Sequence, residues 1–353
     1  LPLRRFEEQA MIIILSSEAT KENLKHVTQM LEERGYGVHL SEGVETTIVG
    51  AVGVPNDPSG KAEVMEQFAA LPYVDKVVPV TKPYKVVNKQ FHPEPTVINV
   101  RGILIGDPAF VAVMAGPCTV ETEEQLMEAA RAVKAAGAHI LRGGAYKPST
   151  SPYSFHGHGE PALKMLASAR EELGMPIITE VLDVRDVELV CKYADILQVG
   201  TRNMANFPLL TEIGMTQTPV MLKRGMSATI EEWLQAAEYI ASRGNKNVML
   251  CERGIRTFET YTRNTFDINA VAAVKELSHL PIIADPSHAT GKASLVNAVT
   301  RAAIAAGADG VIIEVHPNPE KALKDGAQSL LPEAFVKLMH DIAPIAQAVG
   351  RHL

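Results

Sequence analysis

FVAVMAGPC, residues 110–118, is a short apolar run closed by a Gly-Pro pair, and it reads as a strand with both faces buried. EEQLMEAARAVKAAG (123–137) follows with apolar residues at helical spacing, and HILRGGA (139–145) reads as a second strand. The same rhythm then continues. PIITEV (176–181), ILQVG (196–200), PVMLKRG (219–225), NVMLCERG (247–254), PIIADPS (281–287) and GVIIEVH (310–316) read as strands three to eight. Helices such as PALKMLASAREELG (161–174), TIEEWLQAAEYIASRG (229–244) and SLVNAVTRAAIAAG (294–307) lie between them. Eight βα units in roughly 240 residues predict a (β/α)8 TIM barrel over 109–353. The alternative is a doubly wound open sheet. That fold usually carries G-x-G-x-x-G after its first strand, and no such motif follows Cys118.

The preceding segment has a different order. MIIIL (11–15), YGVHL (36–40), TTIVGAVG (46–53) and VDKVVPV (74–80) read as strands. KENLKHVTQMLEER (21–34) and KAEVMEQFAAL (61–71) read as helices. The order βαββαβ predicts a small ferredoxin-like domain over 11–80, in an α/β chain. Residues 81–108, which open with the proline-bearing TKPYKVVNKQFHPEPT, read as a linker, and residues 1–10 as a leader or added remnant.

The 353 residues are 46% hydrophobic and 21% charged, enough for a real core. With 34 Lys and Arg against 41 Asp and Glu, the formal net charge is −7, which argues against a nucleic-acid partner. No apolar run approaches the roughly 20 residues that span a bilayer, so no membrane partner is expected. Cys118, Cys191 and Cys251 have no close pair, which fits a reducing, cytoplasmic setting.

In such a barrel the active site lies at the C-terminal ends of the strands. Cys118, His288, Glu314 and Asp325 fall there on strands one, seven and eight and the loop beyond. Because the barrel closes, those strands are neighbours. A thiolate, an imidazole and two carboxylates form a candidate site for one divalent metal ion, Mn²⁺, Fe²⁺, Co²⁺ or Zn²⁺. The other arc carries Arg142, Lys147, Arg202, Lys223 and Arg253. Five converging cations repel one another unless an anion lies between them. Arginine forks onto carboxylate or phosphate, and lysine supplies a point charge.

Each of these residues also has a bland reading. A lone buried cysteine is more often a small hydrophobe than a ligand; Cys251 and Cys191 are read that way. His288 can cap a turn, Asp325 can be a loop residue beside Gly326, and Glu180 can be a counter-ion for nearby lysines. Arg253, Arg256 and Arg263 can be surface or intersubunit charges.

Several motifs together carry a resemblance: AGPC (115–118), LRGGAYKP (141–148), TSPYSF (150–155), QVGTRNMANF (198–207), LKRG (222–225), LCERGIRTFE (250–259), RNTFDI (263–268), DPSH (285–288) and EVHPNP (314–319). The chain resembles the 3-deoxy-D-arabino-heptulosonate 7-phosphate (DAHP) synthases, of the type I beta branch with an N-terminal ferredoxin-like regulatory domain. The resemblance covers nearly all of 11–350. It implies a metal on Cys118, His288, Glu314 and Asp325, and phosphoenolpyruvate on Arg142, Lys147, Arg202, Lys223 and Arg253. It implies condensation with erythrose 4-phosphate, the first step of the shikimate route to aromatic amino acids. It also implies a homotetramer, and tyrosine or phenylalanine as a feedback inhibitor. Lys147 is the candidate proton donor or relay, and Asp285 orients the His288 region. His39 and Ser41, in GVHLSEG, are candidate effector contacts.

One position departs from the family pattern. The family reads Lys-Pro-Arg-Thr, its arginine gripping the aldose phosphate, and this chain has Ser149 there. Thr150 and Ser151 still offer hydrogen bonds. A lost charge-assisted contact is worth roughly 1.5–3 kcal/mol. Weaker aldose-phosphate binding, compensation by another cation or a shifted aldose preference are the open outcomes. The competing readings are a sibling synthase making 3-deoxy-octulosonate 8-phosphate or a sialic acid, a Schiff-base aldolase using Lys223, and a catalytically silent amino-acid sensor.

Overall fold

The computed structural model of the chain describes residues 9–42, 47–53, 61–79, 82–148 and 151–353. Ser149 and Thr150, and most of the 1–10 segment, therefore lie outside the described residues. The chain divides into two compact units, residues 1–94 with 277–279, and residues 95–276 with 280–353.

The first unit runs β1 (Gln9–Leu15), α1 (Lys21–Glu33), β2 (Gly37–Glu42), β3 (Thr47–Gly53), α2 (Lys61–Ala69) and β4 (Val74–Pro79). Its sheet is antiparallel, in the order β2-β3-β1-β4. Strand side chains alternate between faces. Met11, Ile13, Leu15, Val49 and Ala51 are thus buried with Val27 and Leu31 of α1 and Val64 and Phe68 of α2. Ile12 and Ile48 face the other way and pack on Phe91. The ring of Phe91 lies over Gly50, where a Cβ would stand 1.9 Å from Cζ. Thr20 starts α1 through a capping box, each side chain of Thr20 and Asn23 accepting from the other's backbone N–H.

The second unit opens on a hairpin, β5 (Ile98–Val100) and β6 (Ile103–Ile105). The 81–108 stretch gives no sequence signal for it, because strands of three residues are too short to show an alternation. Eight parallel strands follow: β7 (Ala112–Gly116), β8 (Ile140–Arg142), β9 (Ile177–Glu180), β10 (Ile196–Val199), β11 (Val220–Lys223), β12 (Val248–Glu252), β13 (Ile282–Ala284) and β14 (Gly310–Glu314). They close into a barrel, with β14 paired to β7. The helices between them are α3 (Glu123–Ala135), α4 (Glu160–Leu173), α5 (Val187–Tyr193), α6 (Phe207–Gly214), α7 (Ile230–Ala241), α8 (Ile268–Leu277), the short α9 (Pro286–Thr290) and α10 (Ala293–Ala305). Helix α11 (Pro332–Ala348) ends the unit.

Every barrel strand is buried along its length, which is why these segments read as continuous apolar runs. Met114, Ile140, Ile178, Ile196, Met221, Met249, Ile283 and Ile312 form the interior cluster. Cys251 belongs to that cluster, as its core reading expects. Ile98, Val100 and Ile105 of the hairpin join it. Helix starts follow their caps: Thr122 accepts from Gln125 N–H before α3, and Thr229 and Glu232 form a capping box before α7. No helix among the described residues is long and apolar enough to cross a membrane.

Candidate active site

The polar residues that interrupt the apolar runs stand at the strand ends, and they line one cleft of about 330 Å³. Arg142, Glu180 and Lys223 are the last residues of β8, β9 and β11, and Glu314 is the last of β14. Arg253 follows β12, and Arg202 lies in the turn after β10. Cys118 is two residues beyond β7. Gly116 makes that turn possible: its φ is +149°, and a Cβ would stand 2.2 Å from the carbonyl oxygen of Arg142.

One side of the cleft gathers sulfur and carboxylates. Cys118, Glu314 and Asp325 each offer a ligand atom within 4.8 Å of the others. His288 is outside that trio, but its Nε2 is 3.3 Å from Glu314 Oε1 and 4.0 Å from Asp325 Oδ2. Lys147 Nζ bridges the group, 2.9 Å from Cys118 Sγ and 2.8 Å from Asp325 Oδ2. A cationic group is thus already drawn to the place where these donors converge. Burial, with Glu314 beside it, pushes the Cys118 thiol well above its ordinary pKa. Burial disfavours the Asp325 carboxylate, yet the charge and hydrogen bond of Lys147 hold it well below the usual range. Burial also lowers His288 to about 4, so its ring is neutral near pH 7 and can donate a lone pair. The donor set suits a borderline transition-metal ion.

Asp285 organises the neighbourhood. Its Oδ1 accepts the backbone N–H of His288 at 3.0 Å and starts α9. Its Oδ2 lies 2.7 Å from Lys223 Nζ and 2.7 Å from His288 Nδ1. That closeness ties the imidazole to the Asp285 carboxylate, which favours the ring's charged form against burial.

The cationic arc is assembled as well. Arg142, Lys147, Arg202, Lys223 and Arg253 all line the cleft. Arg142 Nη1 is 2.5 Å from Glu314 Oε1, with both side chains buried. Arg253 is 4% exposed, so it is a cleft residue and not a surface charge. Arg263 is exposed, as its surface reading has it, but it also lines the cleft, donating to Asp325 Oδ1 at 3.2 Å and Gln328 Oε1 at 2.9 Å. Arg256 is exposed, as that reading has it. Lys324 is a further cleft cation that sequence reasoning missed. Both Arg263 and Lys324 sit in loops, where spacing says nothing about direction.

Glu180 makes no direct lysine contact: Oε2 accepts from Gln198 Nε2 at 3.0 Å, and Oε1 has no hydrogen-bond partner among the described residues. Burial raises its pKa, with Lys147, Lys223 and Arg142 opposing. Ser151 lines the cleft. Cys191 is half-buried on α5, in keeping with packing. His39 and Ser41 lie two apart on the sheet-edge strand β2, and His39 meets Phe91 edge-on at 5.7 Å.

Comparison with known proteins gives a consistent picture. Residues 84–348 match the DAHP synthetase I family, and residues 11–82 match the DAHP synthase ferredoxin-like domain. The phospho-2-dehydro-3-deoxyheptonate aldolase of Thermotoga maritima is 48% identical over 340 residues, 96% of this chain and 99% of the relative. A crystal structure of the Thermotoga maritima DAHP synthase superposes with a TM-score of 0.76, covering 98% of this chain and 99% of that one at 47% identity. A 2-dehydro-3-deoxyphosphooctonate aldolase of Syntrophotalea carbinolica is 31% identical, but covers 71% of this chain and 96% of its own length. With both units matched, the chain belongs to the DAHP synthetase I family and carries that family's ferredoxin-like domain ahead of its barrel.

Proposed function

We infer that the chain is a DAHP synthase, catalysing the first step of the shikimate route. C3 of phosphoenolpyruvate bonds to the aldehyde carbon of erythrose 4-phosphate, water adds at C2, and inorganic phosphate leaves with C–O cleavage. The observation that carries this is one cleft lined by all five predicted cations and by Cys118 and Asp325, with Glu314 grouped with those two and paired to Arg142. Proteins of this family use a divalent metal ion. Here Cys118, His288, Glu314 and Asp325 would hold it, and when bound it supplies Lewis-acid polarisation of the aldehyde carbonyl. Arg142, Lys147, Arg202, Lys223 and Arg253 bind the phosphate and carboxylate of phosphoenolpyruvate and stabilise charge as it develops. Lys147, beside Cys118 and Asp325, serves in this reading as the proton donor or relay for the nascent hydroxyl. Glu180 also lines the cleft, and its carboxyl group can orient the water that adds at C2. An aldose-phosphate panel tests this reading: phosphoenolpyruvate is consumed with erythrose 4-phosphate, and a preference for arabinose 5-phosphate would favour the octulosonate sibling.

The second phosphate needs a cation that position 149 does not supply. Lys324 is half-buried on the cleft and has no acceptor among the described residues. It takes the aldose phosphate together with Arg263 and Ser151. Lys324→Ala is expected to raise KM for erythrose 4-phosphate about 10-fold or more, the worth of one charge-assisted hydrogen bond, with KM for phosphoenolpyruvate unchanged. Ser149→Arg lowers the same KM. If neither variant moves it, the phosphate lies elsewhere.

The first unit acts as the sensor for tyrosine or phenylalanine, with His39 and Ser41 as contacts, in a cytosolic homotetramer. Deleting residues 1–90 is expected to abolish inhibition by the amino acid and leave catalysis. A truncated form that stays fully inhibitable contradicts the sensor role.

A further inference from the structure

Three loops that carry the sulfur and carboxylate donors meet at one further side chain. Glu121 lies three residues after Cys118, and its side chain is 11% exposed. Its Oε1 accepts the backbone N–H of Leu323 at 2.8 Å, two residues before Asp325. Its Oε2 stands 3.6 Å from Nε2 of His316, two residues after Glu314. The His316 ring is fixed, because Nδ1 accepts the N–H of Asn318 at 2.9 Å. Nε2 therefore carries the proton, and its polar N–H faces the carboxylate across a gap too long for a hydrogen bond. The backbone of Glu121 is held as well. Its N–H donates to Gln125 Oε1 at 3.2 Å, and its carbonyl lies 3.0 Å from His158 Nε2.

Asp325 needs such support. Its φ of 52° and ψ of 29° are left-handed, a conformation a non-glycine residue keeps only where its surroundings impose it. The Leu323 contact fixes the chain on one side of Asp325. On the other, Ser329 Oγ donates to the Asp325 carbonyl at 3.3 Å.

We propose that Glu121 is a positioning residue: its carboxylate ties the Cys118, Glu314 and Asp325 loops together and so sets the affinity for the divalent ion. This rests on the reading of that donor group as the ion site. Outer partners of metal ligands typically cost about 10–100-fold in affinity when lost.

The test uses Glu121→Ala, Glu121→Gln and Leu323→Pro in the full chain. Proline at 323 removes the N–H donor and leaves the carboxylate intact. Ala322 already has the extended ψ of 131° that a residue before proline requires. Leu323 is 54% exposed, so its side chain is dispensable for packing. Affinity for Mn²⁺ is read by chelator competition, alongside KM for both substrates. Glu121→Ala and Leu323→Pro are expected to bind Mn²⁺ about 10–100-fold more weakly and to regain most of their rate at saturating metal. The double variant is expected to be no weaker than Glu121→Ala alone, because the alanine already removes the contact that the proline breaks. Glu121→Gln, which keeps an acceptor oxygen, restores most of the affinity. Wild-type affinity in either disruptive variant, or losses that add in the double, would overturn the proposal. If Glu121→Ala does not fold, Leu323→Pro decides alone. Wild-type protein binding Mn²⁺ no more tightly than Cys118→Ala would instead overturn the ion site itself, and this proposal with it.

Discussion

Cys118→Ala is expected to lower the condensation rate by about 10³-fold, because a metal-polarised carbonyl is worth several kcal/mol of barrier. Stability is expected to change little. Cys118 is 2% exposed but small, and among the described residues its sulfur makes polar contacts only to Lys147 and Asp325. Those two groups still pair with each other at 2.8 Å once the sulfur is gone. The variant thus separates chemistry from folding. Rate in excess divalent ion and thermal midpoint are the measurements. A rate within a few-fold of wild type would show that the sulfur is core packing, the commonest fate of a buried cysteine.

Lys223→Met is expected to damage both binding and fold. The Lys223 ammonium is 2.7 Å from Asp285, with side chains 5% and 1% exposed. Removing one partner of a buried pair leaves the other charge unpaired, at a cost of about 3–5 kcal/mol. The phosphoenolpyruvate contact is lost as well, raising its KM by about one to two orders of magnitude. The two effects can be parted. In Lys223→Met with Asp285→Asn the orphaned charge is gone, so much of the stability returns, while KM for phosphoenolpyruvate stays high. Denaturant midpoints and KM for each variant check this. A double variant as unstable as the sum of the singles would mean that Asp285 matters through its cap on α9 and not through Lys223.

The barrel was legible because buried parallel strands leave continuous apolar runs, and the charges that end those runs mark the strand tips. Arg142, Lys223 and Glu314 could be assigned on that basis. Residues carried by loops could not be placed in the same way. Arg263, Lys324 and Glu121 sit where direction depends on the path of the chain, and their sequence contexts are ordinary polar surface. Asp325 could be placed only as far as the loop beyond strand eight, since nothing in KALKDG announces a left-handed aspartate. The hairpin at 98–105 was invisible because its strands have three residues each. Glu180 does stand among lysine charges, but its hydrogen bond to the amide of Gln198 had no signal in the sequence.

The central claim is that the thiol and carboxylate group and the cationic arc form one site. Loading the protein with Co²⁺ and titrating phosphoenolpyruvate tests it most directly. A sulfur-to-cobalt charge-transfer band that is absent in Cys118→Ala, and that shifts as phosphoenolpyruvate saturates the wild type, is the predicted result. Saturation by phosphoenolpyruvate with the cobalt spectrum unmoved, or the same spectrum in Cys118→Ala, would contradict it.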